Sequence, residues 1–225
     1  MFDPREKNQT PNAKSISEYL NGYVDSVQAA VRTVSAEKMD LVMALLKEKI
    51  ELGAQIFAAG NGGSAAISAH LVCDWVKGTR MENQPSLKVH SLMENTSLLT
   101  ALANDVSYEE AVAEQLKAYG KAGDAVILLS CSGNSPNVVR AAQVARKMEI
   151  DVISMTGFDG GKLAQFSDIS LHVPANNYGM IEDCHQMLMH VFSQYLYLWR
   201  VKELETRGGH EAHKPQSGLQ APPAN

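Results

Sequence analysis

"AVILLSCSGNSPNVVRAA", residues 125–142, changes character twice within its length. It runs apolar and unalternating to Ser130, turns through Cys131, Ser132, Gly133, Asn134 and Ser135, and resumes at Pro136 with a helix-compatible stretch. A short apolar run without alternation predicts a strand buried on both faces, over 125–130. Pro136 fits the first position of a helix, predicted over about 136–148. Four other runs have the first texture: "AQIFAAG" (54–60), "LKVHSL" (87–92), "DVISMTG" (151–157) and "ISLHVPA" (169–175). Helical stretches separate them, over about 64–77, 97–119 and 161–166, and a last one spans about 179–204. Buried strands alternating with helices describe an α/β layer fold around a parallel sheet.

Upstream, two helices precede the first strand. Leu20, Tyr23, Val24, Val27, Val31 and Val34 recur at three- and four-residue steps. Ser35 is an N-cap for the second helix, whose apolar stripe runs from Met39 to Ile50 and stops at Gly53. This pair has no sheet edge to continue, so it caps the sheet, meets another subunit, or does both. Residues 1–14 read as a flexible leader, 15–204 as a single domain, and 205–225, rich in Gly, Pro, Ala and polar residues, as a disordered tail.

Composition narrows the classes. The chain has 225 residues, 45% of them hydrophobic and 20% charged, with a formal net charge of −5. That is soluble globular composition with room for one sizeable core. No basic stripe speaks for nucleic acid: Lys77 to Arg80 holds only two cations. The charged N-terminus is not a signal peptide, and no apolar run approaches the roughly 18 residues of a spanning helix. Three cysteines, Cys73, Cys131 and Cys184, share no close spacing and form no zinc or disulfide pattern. No nucleic-acid or membrane partner and a cytoplasmic location are therefore expected.

Two strand-to-helix turns carry the chemistry. In a parallel sheet such turns line the carboxyl edge, where ligands bind. "GNGGS", residues 60–64, offers backbone N–H groups at a helix start, an anion-suited arrangement, but lacks both the dinucleotide and the P-loop signatures. "SCSGNSPN", residues 130–137, adds three hydroxyls and a glycine at a second helix start, with no lysine or arginine. Short neutral donors favour a monophosphate over a triphosphate with magnesium, although serines at helix starts also serve as caps.

Together "GNGGS", "SCSGNSPN" and "MTGFDGGKLAQFSD" (155–168) resemble the sugar isomerase (SIS) domain family, and within it the phosphoheptose isomerases. The resemblance runs from the N-terminal helices to about residue 200. It implies a three-layer α/β/α sandwich with a five-stranded parallel sheet, preceded by the N-terminal helical pair. It implies that Ser130, Ser132 and Ser135 bind a sugar phosphate and that Asn61, Gly62 and Ser64 contact the sugar. Asn95 and Thr96 fall on the family's loop after the second strand and are expected to touch sugar hydroxyls. Cys131 stands where threonine is usual, and Asn95 where aspartate is common. The family's active sites lie between subunits of a homotetramer.

Two helices supply titratable groups. His70 and Asp74 are four residues apart, a ligand or acid–base spacing that a surface contact would also give. "MIEDCHQMLMHVF" (180–192) sets Glu182, Asp183, His185 and His190 in an apolar context. At about 100° per residue, Glu182 and His190 lie about 80° apart and can reach one pocket, whereas His185 lies some 140° from His190. By resemblance, His70, Asp74, Glu182 and His190 hold a divalent metal, zinc by preference, with Asp74 as base and His190 as acid partner. Asp74 replaces the family's Glu, and Glu182 its Gln. Glu182 also counts among the substrate contacts. The implied reaction is aldose–ketose isomerisation of sedoheptulose 7-phosphate through an enediol, in heptose synthesis for surface polysaccharide. A non-catalytic module binding a phosphosugar or a protein, and an isomerase for another phosphosugar, remain as alternatives.

Overall fold

The structure is a computed structural model and describes residues 13–82 and 84–207. Residues 1–12 of the expected leader and 208–225 of the expected tail lie outside the described residues. Helices α1 (Ile16–Val31) and α2 (Ala36–Glu51) come first. The side chains of Ser15 and Ser35 cap them, accepting the N–H groups of Glu18 and Lys38. Then follow β1 (Gln55–Ala59), α3 (Gly63–Cys73), β2 (Lys88–Ser91), α4 (Thr96–Asp105), α5 (Ala111–Tyr119) and β3 (Ala125–Ser130). The chain ends with α6 (Pro136–Lys147), β4 (Asp151–Thr156), β5 (Ile169–His172) and α7 (Tyr178–Arg207).

The five strands form one parallel sheet in the order β2-β1-β3-β4-β5. Alternate side chains of each strand leave on opposite faces, so each face carries its own core. Ile56, Ile127, Leu129, Ile153, Met155 and Leu171 pack with Val27, Leu46, Leu71 and Phe192 from α1, α2, α3 and α7. On the other face, Phe57, Val126, Leu128 and Val152 pack with Leu116, Val138 and Ala142 from α5 and α6. Every residue of β3 is buried, as its unbroken apolar run requires. From β1 the chain steps to β2 on one side, and from β3 to β4 on the other. The gap between the carboxyl ends of β1 and β3 is thus the place where an α/β sheet opens to ligands.

Three helical expectations need correction. The single helix over 97–119 is two, α4 and α5, because a local side chain competes with the helical ladder. Ser107 Oγ accepts the Glu110 N–H at 3.2 Å. The helix over 64–77 stops being α-helical at Cys73 and passes into a π-helical turn, Asp74–Gly78. Only a 3₁₀ turn, Leu163–Phe166, occupies 161–166. The last helix runs three residues beyond its expected end, to Arg207.

Candidate active site

The first part of the site is a cavity of about 260 Å³ at the carboxyl ends of β1 and β3. Asn61, Gly62, Ser64, Ser130, Ser132 and Ser135 line it, with Tyr178 and Glu182 from α7. Ser130 Oγ and Ser135 Oγ lie 3.1 Å apart, and Ser132 Oγ accepts the Asn134 N–H at 3.2 Å. Gly133 has φ +63 and presses its backbone on Gly160, where any side chain would collide with the Gly160 carbonyl. That close approach seats the serine turn. Among the described residues, no lysine or arginine lines the cavity. The N-termini of α3 and α6 open beside it instead, an arrangement of backbone dipoles and hydroxyls that suits an anion.

Hydrogen bonds lock the two turns together. The amides of Asn61 and Asn137 exchange bonds at 2.8 and 2.9 Å, and Tyr108 donates to Asn61 at 2.7 Å. Gly62 has φ +56, and at Gly63 a Cβ would occupy the place of the Glu182 carboxylate. Burial, and then the neighbouring charge of Asp183, push the Glu182 carboxyl above its ordinary value. Burial and the Glu182 charge push the Cys131 thiol up to about 12, so it sits in the cavity wall as a neutral SH.

The second part lies further along α3 and α7, where these two helices pack together. His70 Nε2 is 3.4 Å from Asp74 Oδ1, and His190 Nε2 is 3.5 Å from Asp74 Oδ2. The two imidazoles meet edge to face with centroids 5.1 Å apart. Ligand atoms of the three residues all lie within 4.8 Å of one another. Two imidazoles and a carboxylate are donors that zinc accepts, so the residues fit a divalent cation. Asp74 is the first residue of the π-turn, a distortion that re-aims side chains and recurs at functional sites. Gln186, one turn before His190, places Nε2 3.0 Å from His70 Nδ1 and 3.0 Å from His190 Nε2.

Residues 18–157 match the SIS domain family. The chain is 39% identical over 144 residues to the phosphoheptose isomerase of Mycobacterium tuberculosis, covering 64% of this chain and 73% of that one. The chain belongs to the SIS domain family, in its phosphoheptose isomerase branch. The phosphoheptose isomerase of Alteromonas mediterranea is 31% identical over 180 residues, 78% of this chain and 90% of the relative. The structure of the phosphoheptose isomerase from Neisseria gonorrhoeae superposes with a TM-score of 0.74 at 30% identity, over 80% of this chain and 96% of that one. The α/β/α sandwich with its helical N-terminus is the architecture of this family.

Set against this branch, the expected residues divide into three groups. Asn61, Gly62, Ser64, Ser130, Ser132, Ser135 and Glu182 converge on the cavity. His70, Asp74 and His190 converge on the cluster. Asn95 and Thr96 do not reach the cavity: the Asn95 carboxamide caps α4 by accepting the Leu98 N–H at 3.0 Å, and Thr96 begins that helix. Glu182 is not brought into the His/Asp cluster, because its carboxylate turns into the space that Gly63 leaves open. His185, set apart by helical phase, is buried against the Thr156 carbonyl, and burial lowers its pKa to about 4. Gln186 is the residue that sequence reasoning missed. Its one usable signal was its position, midway between Glu182 and His190 at one-turn steps.

Proposed function

We propose that the chain interconverts sedoheptulose 7-phosphate and an aldoheptose 7-phosphate through an enediol, serving heptose supply for surface polysaccharide in the cytoplasm. The observation that supports the reading is that the serine cup and the His/Asp/His cluster both lie along the same two packed helices, α3 and α7. His70 follows Ser64 by six residues, roughly 9 Å along a helix. An open-chain sugar with its phosphate in the cup then extends its carbonyl end toward the cluster.

Ser130, Ser132 and Ser135, with the N-termini of α3 and α6, hold the phosphate. Asn61 and Ser64 take sugar hydroxyls, and Glu182 accepts a further one. Asp74 faces His70 with one oxygen and His190 with the other. One oxygen can therefore remain in the cation site while the other takes the proton from the carbon beside the carbonyl. His190, through the ring nitrogen that does not face the cation site, serves the sugar oxygens as acid partner, and the proton returns one carbon along. A zinc or similar ion held by His70, Asp74 and His190 would polarise those oxygens.

The reading extends to assembly. Ile16, Leu20 and Val24 form an exposed stripe on α1, and Met187, Val191, Tyr195 and Leu198 another on α7. Apolar faces of this size suit a homotetramer whose active sites lie between subunits. Two variants test the roles. Ser132→Ala should raise KM about tenfold with kcat little changed, and His190→Ala should lower kcat at least about a hundredfold with substrate still bound. Equal losses of binding and turnover in both variants would undo the assignment.

A further inference from the structure

Gln186 stands between two imidazoles of the cluster. Its Nε2 is 3.0 Å from His70 Nδ1 and 3.0 Å from His190 Nε2. The amide tip is thus within hydrogen-bond distance of both imidazoles at once. Two imidazole nitrogens aimed at one small, half-buried group, with a carboxylate beside them, describe the surroundings of a cation. Here the group between them is the amide tip.

We infer that Gln186 is the fourth donor of the cation site, supplying a neutral amide oxygen beside His70, Asp74 and His190. The inference rests on the cation reading above and adds a residue to it. A cation that takes the two imidazole lone pairs leaves the –NH₂ with no acceptor and facing positive charge. Half a turn about the terminal side-chain bond exchanges Nε2 for Oε1 at nearly the same place. A neutral oxygen at that position completes four donors while adding no charge. It also binds more weakly than the carboxylate, so a substrate oxygen can displace it, which a catalytic site requires.

The test is binding of the metal alone to the full chain, freed of metal beforehand. Zinc affinity is measured by competition with a chromogenic chelator, and coordination by the visible spectrum of the cobalt(II) form. Gln186→Leu should weaken zinc binding about 10- to 100-fold and alter the cobalt spectrum. Gln186→Glu, which keeps an oxygen donor, should bind at least as tightly as the parent chain and shows that position 186 tolerates change. Parent-like affinity with an unchanged cobalt spectrum in Gln186→Leu overturns the assignment of Gln186 alone. Failure of the parent chain to take up zinc or cobalt overturns the cation reading together with it.

Discussion

Gly63 is the residue where the first turn and the last helix meet. Its missing side chain is filled by the Glu182 carboxylate, and its backbone lies in α3 with no positive φ. Gly63→Ala should therefore fold with near-parental thermal stability, because alanine suits a helix start. It should lose at least about tenfold in kcat/KM, because the methyl group displaces Glu182 from the cavity. A parental kcat/KM would mean that Glu182 has no part in holding substrate. The glycines and serines of the two turns were legible in the sequence, since their types fit local needs of turn geometry and anion binding. The partner of Gly63 was not, because it lies on α7, a contact made by tertiary packing alone. Gln186 escaped notice for a related reason: a single neutral amide in an apolar helix carries no pattern of its own.

Among the elements, the π-turn at Asp74–Gly78 decides where α3 delivers its carboxylate. It breaks the regular ladder, and the Thr79 hydroxyl donates to the Trp75 carbonyl, while Ser193 Oγ from α7 reaches the Asp74 carbonyl at 3.5 Å. Thr79 is fully buried. Thr79→Val keeps the shape and removes the donor, so the melting midpoint should fall by the equivalent of about 1–2 kcal/mol. An unchanged midpoint would show that the turn is held by packing around Trp75 instead. The strands were readable because their apolar runs must be buried on both faces. The break between α4 and α5 was not, because hydrophobic spacing continues across 97–119 while Ser107 redirects the backbone locally. The π-turn was also invisible, since an inserted residue in a helix shifts phase without changing composition.

For the molecule as a whole, the parallel sheet puts both glycine-bearing turns on one edge, and α7 runs from Glu182 at the cavity to His190 at the cluster. The fold class followed from five buried runs separated by helices. The convergence of the two turns followed from the switch in chain direction between β1 and β3. Assembly is readable only as exposed apolar stripes on α1 and α7. On the proposed homotetramer, Leu20→Glu combined with Val191→Glu should give smaller species by light scattering and reduce turnover. A parental mass would remove these faces from the interface. The measurement closest to the central claim is incubation with sedoheptulose 7-phosphate in deuterium oxide, followed by NMR. An enediol formed beside the His/Asp/His cluster predicts that an aldoheptose 7-phosphate accumulates with deuterium on the carbon beside its carbonyl. Recovery of the bound ketose unconverted and free of deuterium, with zinc present, would contradict it.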